Sequence, residues 1–218
     1  MELPRVVELP YVPKFPYVAD GGGMGAYLKG PGTPPRRVRR MIIEPLGLDT
    51  VTHDIPGPLL TELAALYASN QAFHQLSGDF PDPDDVRPEQ VAAALADDLA
   101  HPDAEVLLAR SHGALVGVAV TLAQHPDPAD PDPWIGLLMV DAGRQRSGYG
   151  RQLAGFVAER FRAAGRDGLR IAVLENNPRA LAFWTSLGYE VIGHRPDRQL
   201  GRPCAVLRTS LHPLKSAE

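Results

Sequence analysis

The sequence predicts an α/β fold, an α+β type of mixed sheet flanked by helices on both faces. Three observations carry that reading. Short apolar runs of strand length are interleaved with segments whose apolar residues recur at helical spacing. An apolar run over 134–140, an amphipathic stretch over 149–164 and an apolar run over 169–174 form a strand–helix–strand passage, which joins parallel strands by a right-handed crossover. The 218 residues are 44% hydrophobic and 22% charged, an ordinary globular mixture with enough material for a buried core.

Residues 1–37 are dense in Pro, Gly and Tyr and read as an irregular N-terminal extension. The folded domain is expected over 38–212, with a short tail at 213–218. Residues 21–26 formally fit G-x-G-x-x-A, but Lys29-Gly30-Pro31-Gly32 permits no following helix, so they read as a loop and not as a dinucleotide site. The first strand is expected at 38–45. Gly57 and Pro58 then open a helix bearing Leu59, Leu60, Leu63, Leu66 and Tyr67 at helical spacing, with Asn70 as a polar exception at its end. An acidic, Pro-rich loop covers 77–88. Pro88 starts a second helix, with Val91, Leu95 and Leu99 facing inward. Strands at 105–110 and 114–123 are joined by the turn Ser111-His112-Gly113, and the strand at 134–140 follows an acidic loop. The helix at 149–164 turns Leu153, Phe156, Val157 and Phe161 inward and stops at Gly165. After the strand at 169–174, Asn177-Pro178 opens a helix at 179–187, closed by Gly188. Strands at 189–193 and 204–211 end the domain.

The net charge of −4 argues against a nucleic-acid partner. The charge is uneven: 144–208 holds 12 Arg and 5 acidic residues, +7, so the rest carries −4 − 7 = −11. One half suits an anion, the other a cation or water. A single cysteine excludes an internal disulfide and a multi-Cys zinc site, and Cys204 reads as a small core residue. The seven His have no ligand spacing, so no metal is expected. With no signal-like start and no apolar run of about 20 residues, the chain is expected to be cytoplasmic with no membrane partner.

The most informative segment is Gln145-Arg146-Ser147-Gly148-Tyr149-Gly150, between the apolar run at 134–140 and the amphipathic helix. Successive backbone N–H groups at such a junction converge on one point, the helix dipole adds positive charge, and glycines let phosphate oxygens come close. Arg144, Arg146 and Arg151 add full charges. The physical reading is a pyrophosphate cradle. Together with Asn177-Pro178-Arg179-Ala180-Leu181-Ala182-Phe183-Trp184 downstream and Gly188-Tyr189 after it, this loop resembles the paired motifs of the Gcn5-related N-acetyltransferase (GNAT) superfamily. The resemblance covers roughly 40–212, element order included.

That resemblance implies a GNAT-like fold and acetyl-CoA as cofactor, with transfer of the acetyl group to a primary amine by direct attack on the thioester. It implies that N–H groups of Gln145, Arg146, Ser147, Gly148, Tyr149, Gly150 and Arg151 bind the pyrophosphate. Main-chain groups of Leu138, Met139 and Val140 would pair with the pantetheine arm, an N–H near Met139–Val140 would polarise the thioester carbonyl, and Asn177, Phe183 and Trp184 would contact the sulfur end. Homodimers are common in the resembled superfamily, although this sequence shows no interface. Two departures stand out. Trp184 occupies the position of a Tyr that protonates the leaving thiolate in many members, and Trp134 that of a Glu base. Asp132, and His125 in the preceding loop, are the nearest remaining bases. Nine acids between Asp79 and Glu105, with Asp127, Asp130 and Asp132, suggest a small cationic metabolite or antibiotic as acceptor. A protein N-terminus or Lys as acceptor, or a silent acyl-CoA-binding module, are the alternatives.

Overall fold

The computed structural model describes residues 17–18, 41–197 and 200–212. The loop at 21–26, the start of the expected first strand and the tail at 213–218 lie outside them. Of the expected irregular extension, only Tyr17–Val18 is described, as a two-residue strand, β1. The elements that follow are β2 (Ile42–Pro45), α1 (Gly57–Ala68), α2 (Gln71–Ser77), α3 (Pro88–Leu99), β3 (Ala104–Ser111), β4 (Ala114–Leu122), β5 (Trp134–Val140), α4 (Tyr149–Ala163), β6 (Gly168–Leu174), α5 (Pro178–Thr185), β7 (Glu190–Pro196) and β8 (Pro203–Ser210).

They build one eight-stranded sheet in the order β1-β2-β3-β4-β5-β6-β8-β7. Every neighbouring pair is antiparallel except β5–β6, which the α4 crossover makes parallel, as expected. On one face, Leu153 and Val157 of α4 and Trp184 of α5 pack on Ile135, Leu169, Ile171 and Leu207. On the other, Leu63 and Leu66 of α1 and Val91 and Leu95 of α3 pack on Val106, Leu108, Val118 and Met139. Burying each such side chain contributes about 1.5–3 kcal/mol. Among the described residues no helix is long and apolar enough to cross a membrane, and no group of three or more His, Cys, Asp or Glu is placed to hold a metal.

The structure adds one helix to the sequence reading. α1 ends before Asn70, and Asn70 is the N-cap residue of the separate seven-residue α2. That helix has no capping side chain and a largely polar sequence, so it leaves little periodic signal. Its end is tied across the molecule: Asn176 donates to the Leu76 carbonyl (3.2 Å), and Arg202, in the β7–β8 turn, pairs with Asp79 at 2.6 Å.

The feature that makes a site is in β5. Thr121 pairs with Ile135 and Val120 with Leu137, so Gly136 is an extra residue, a β-bulge. Beyond it the alternation is reset: Ile135, Leu138 and Val140 share the α4 face, while Leu137 and Met139 share the α1 face. β5 is paired with β6 only at Trp134–Arg170 and Ile135–Ile171. From Gly136 onward the two strands part, leaving a cleft in the middle of the sheet.

One charge in the α1–α3 layer is ill placed. Burial, then the carboxylates of Asp97 and Asp79, push the Asp98 carboxyl up to about 6. A carboxyl raised in the fold favours folding only while protonated, below about pH 4, and that advantage is lost as pH rises through 6. Asp98→Asn is therefore expected to stabilise the protein by about 1–2 kcal/mol at pH 8 and by almost nothing at pH 4. Urea unfolding at the two pH values checks it.

Candidate active site

The cleft is walled on one side by the C-terminal half of β5. The Asp141 N–H donates back to Val116 of β4, at 3.0 Å. Because N–H groups alternate along a strand, Met139 also faces β4, and the N–H groups of Leu138 and Val140 turn into the cleft. Of the two positions near which an oxyanion donor was expected, Met139 and Val140, only Val140 turns its N–H into the cleft, with that of Leu138 beside it. Gly117 of β4 lets the strands close up here: a Cβ on it would lie 2.9 Å from the Met139 carbonyl oxygen.

The loop after β5 has the backbone of an anion cradle. Arg146 has φ +59° and Gly148 φ +90°, both in the left-handed region. Such alternation of hand turns neighbouring N–H groups to one side. The first N–H groups of α4 have no intrahelical partner, its N-cap has no capping side chain, and its first turn has no acidic residue. Gln145, Arg146, Ser147 and Gly148 are exposed or nearly so. A non-glycine residue at φ +59° is strained, as are His53 and His112 elsewhere among the described residues. The Tyr149 side chain is buried and its hydroxyl donates to Ser111 Oγ (3.1 Å), so only its main chain faces the cradle. These features suit a diphosphate, as acetyl-CoA carries.

A residue that sequence reasoning saw only as an exception couples the two walls. Asn70 is buried, and its Nδ2 donates to the Val140 carbonyl (3.2 Å) and the Leu66 carbonyl (3.0 Å). Its Oδ1 accepts from Gln145 Nε2 at 2.9 Å, which also reaches the Val140 carbonyl at 3.3 Å. Ser69 Oγ accepts the Ala142 N–H (3.1 Å). One amide thus joins the end of α1, the end of β5 and the cradle. The signal available in sequence was a polar residue at a helical core position.

The α5 residues join from the α4 face. The Phe183 ring sits on Gly150, where a Cβ would lie 3.3 Å from its Cζ and 3.7 Å from Val140. Arg151 donates to Ser186 Oγ (3.3 Å). Asn177 caps α5, its Oδ1 accepting the Ala180 N–H at 3.1 Å. Trp184 is 4% exposed and packs between Phe183 and Tyr189. It has no acidic proton to give. Nor is Tyr189 a substitute: its hydroxyl is buried without a hydrogen-bond partner, and burial raises its pKa. The structure thus brings Phe183, Gly150 and Val140 together and joins Arg151 to the end of α5, while Asn177 caps the start of that helix.

It does not support the expected base. Asp132 lies beyond the paired end of the cleft and is 5% exposed. Its Oδ2 accepts from Arg170 Nε and Arg208 Nε, each at 2.8 Å. Burial alone would raise its carboxyl, but these two guanidinium groups outweigh that and hold it below the ordinary value. It lines a cavity of about 400 Å³ with Arg166, outside the cleft. His125 is no better placed: its Nδ1 is engaged by the Asp127 N–H (3.1 Å) and by Asp130 Oδ2 (3.6 Å).

The sequence profile described as "Acetyltransferase (GNAT) family" matches residues 69–189, more than half of the chain. No curated protein matches the sequence. Among solved structures, an acetyltransferase of Thermus thermophilus is similar at 20% identity over 77% of this chain and 96% of its own, with a TM-score of 0.57. The yncA protein of Salmonella typhimurium, solved with its cofactor acetyl-CoA, is similar at 16% identity over 82% and 98%, with a TM-score of 0.52. The ribosomal-protein-S18-alanine N-acetyltransferase of Escherichia coli gives 16%, 76%, 96% and 0.51. These likenesses show the fold, and the profile, spanning α2 to the end of α5, shows the family: the chain belongs to the GNAT family of acetyltransferases, which draw their acetyl group from acetyl-CoA.

Proposed function

We propose that this enzyme acetylates a primary amine of a small molecule by direct attack on the thioester of acetyl-CoA. The observation that carries this reading is the parting of β5 from β6 at the Gly136 bulge, beside a helix start that has no capping side chain and no acid. Acetyl-CoA supplies an activated acyl thioester. The N–H groups over 145–151 hold its diphosphate. Those of Leu138 and Val140 bind the pantetheine arm and draw charge onto the thioester oxygen. The acceptor nitrogen forms the new bond to the carbonyl carbon, the C–S bond breaks, and the nitrogen's proton passes to water. A thiolate of pKa near 8.5 is a tolerable leaving group, so no Tyr is needed at Trp184. With Asp132 and His125 committed elsewhere, catalysis rests on positioning an amine that arrives unprotonated.

The cationic acceptor suggested by the acidic stretch loses part of its support. Asp79 is paired with Arg202, and Asp130 and Asp132 are paired with arginines.

Calorimetry with acetyl-CoA, followed by thiol release over a panel of small amines and a Lys-containing peptide, tests the reading. Micromolar binding and turnover of a small amine, with kcat/KM rising with pH until the acceptor is deprotonated, are expected. Acetyl-CoA binding with turnover of the peptide alone would overturn the small-molecule acceptor. Binding without any turnover would overturn the enzyme.

A further inference from the structure

Arg195 stands on β7, the outer edge strand, yet its Cζ lies 4.7 Å from the ring centre of Trp134 on β5. In the order β5-β6-β8-β7, that side chain must cross β8 and β6. It crosses on the face away from α4. Arg195 pairs with Cys204, which pairs with Leu174, while Trp134 pairs with Arg170, and Ile135, one residue on, packs toward α4. The guanidinium therefore straps the closed end of the cleft, where an acceptor must arrive if the cofactor's phosphates lie at the start of α4.

Two features of this strap concern what it would meet. First, charge: Asp130 and Asp132, each 5% exposed, are joined by ion pairs to Arg170, Arg195 and Arg208, three cations to two anions. Arg195 is the most exposed of the three, its side chain 41% accessible, and its contact with Asp130 is a single one at 3.3 Å. Second, Trp134 is 7% exposed, and its Nε1–H is buried without a hydrogen-bond partner. A buried unpartnered donor costs about 1–3 kcal/mol, which a ligand oxygen would recover. His125 also packs on the ring, with centroids 5.4 Å apart.

We propose that Trp134 and Arg195 form the acceptor's anchoring subsite, and that the acceptor carries a carboxylate as well as its primary amine. This rests on the acetyltransferase reading above. Arg195 holds the carboxylate by charge-assisted hydrogen bonds, and the indole N–H gains the partner it lacks. The position that holds a Glu base in many family members thus serves specificity, and a purely cationic acceptor meets like charge.

The test uses the full chain with acetyl-CoA and matched acceptors: α-amino acids and ω-amino acids of increasing length, each beside its decarboxylated amine, with spermidine as the polycation. At least a tenfold higher kcat/KM for some carboxylate-bearing acceptor than for its decarboxylated partner is expected. Arg195→Met should erase most of that preference through KM, and Arg195→Lys should keep part of it. Trp134→Phe, which removes the N–H together with the five-membered ring that carries it, should reduce it. Acetyl-CoA affinity, measured on the same proteins, reports folding. Failure of wild type to bind acetyl-CoA would sink the acetyltransferase reading itself. With binding intact, a panel in which no carboxylate-bearing amine outperforms its partner, including one in which nothing is acetylated, overturns the subsite. So does a preference that survives Arg195→Met.

Discussion

Gly148→Glu is expected to weaken acetyl-CoA binding by a hundredfold or more. The residue sits at the start of α4, where converging N–H groups and the helix dipole favour negative charge. A carboxylate placed there opposes the diphosphate. Two like unit charges about 4 Å apart repel by about 4 kcal/mol near a protein surface, and each 1.4 kcal/mol is tenfold in affinity. Conformation adds a second effect. Gly148 has φ +90°, so any side chain strains the turn, at a cost of about 1 kcal/mol. Space is not limiting, since a Cβ would meet only Gln152 Nε2, 3.8 Å away. Gly148→Asn carries the strain without the charge and should lose less than tenfold. Calorimetry on both, with thermal unfolding as control, separates the effects. A folded glutamate variant that binds within threefold of wild type would remove the diphosphate from this loop.

Asp132→Asn should chiefly cost stability. The carboxylate is nearly inaccessible and serves two guanidinium groups. Removing one member of a buried pair typically costs 3–5 kcal/mol, but Arg208 and Arg170 keep 33% and 19% accessibility, so roughly 2–3 kcal/mol is expected. The sign with pH follows from the depressed pKa of Asp132. Its contribution is full above about pH 4 and is lost as pH falls through the lower folded value, so wild type and variant should converge in acid. Denaturant titrations at pH 7 and pH 3 measure this. The acid limb of the kcat/KM profile should stay where it is. A variant of normal stability that had lost that limb would restore Asp132 as the base.

The cofactor side of the site was legible because its information is local. The 145–150 loop is contiguous, and β5 and α4 have strong apolar patterns around it, so β5 was read with the same bounds as observed. The acceptor side was not legible, because its partners are remote. Asp132 meets arginines 38 and 76 residues away in the chain, and Arg195 reaches Asp130 across 65. As sequence, Asp132 is an acid near a motif, and only the fold shows its charge to be neutralised. The Gly136 bulge left no trace either: in an apolar run buried on both faces, a period of two has nothing to alternate. Nor does local patterning announce that β8 slips between β6 and β7, which is what brings Arg208 beside Arg170.

That surplus residue in β5 bears on which length changes the gene can accept. Adding a codon between Pro128 and Ala129, both exposed, alters only the span between two strands. Removing one between Ile135 and Leu137 would keep every rung with β4, since Ile135 already pairs with Thr121 and Leu137 with Val120, but it would take out the surplus residue that bends β5. The strand would lose the bend at which it leaves β6, and with it the opening of the cleft. Within this strand, then, reading length is inherited as strictly as residue identity.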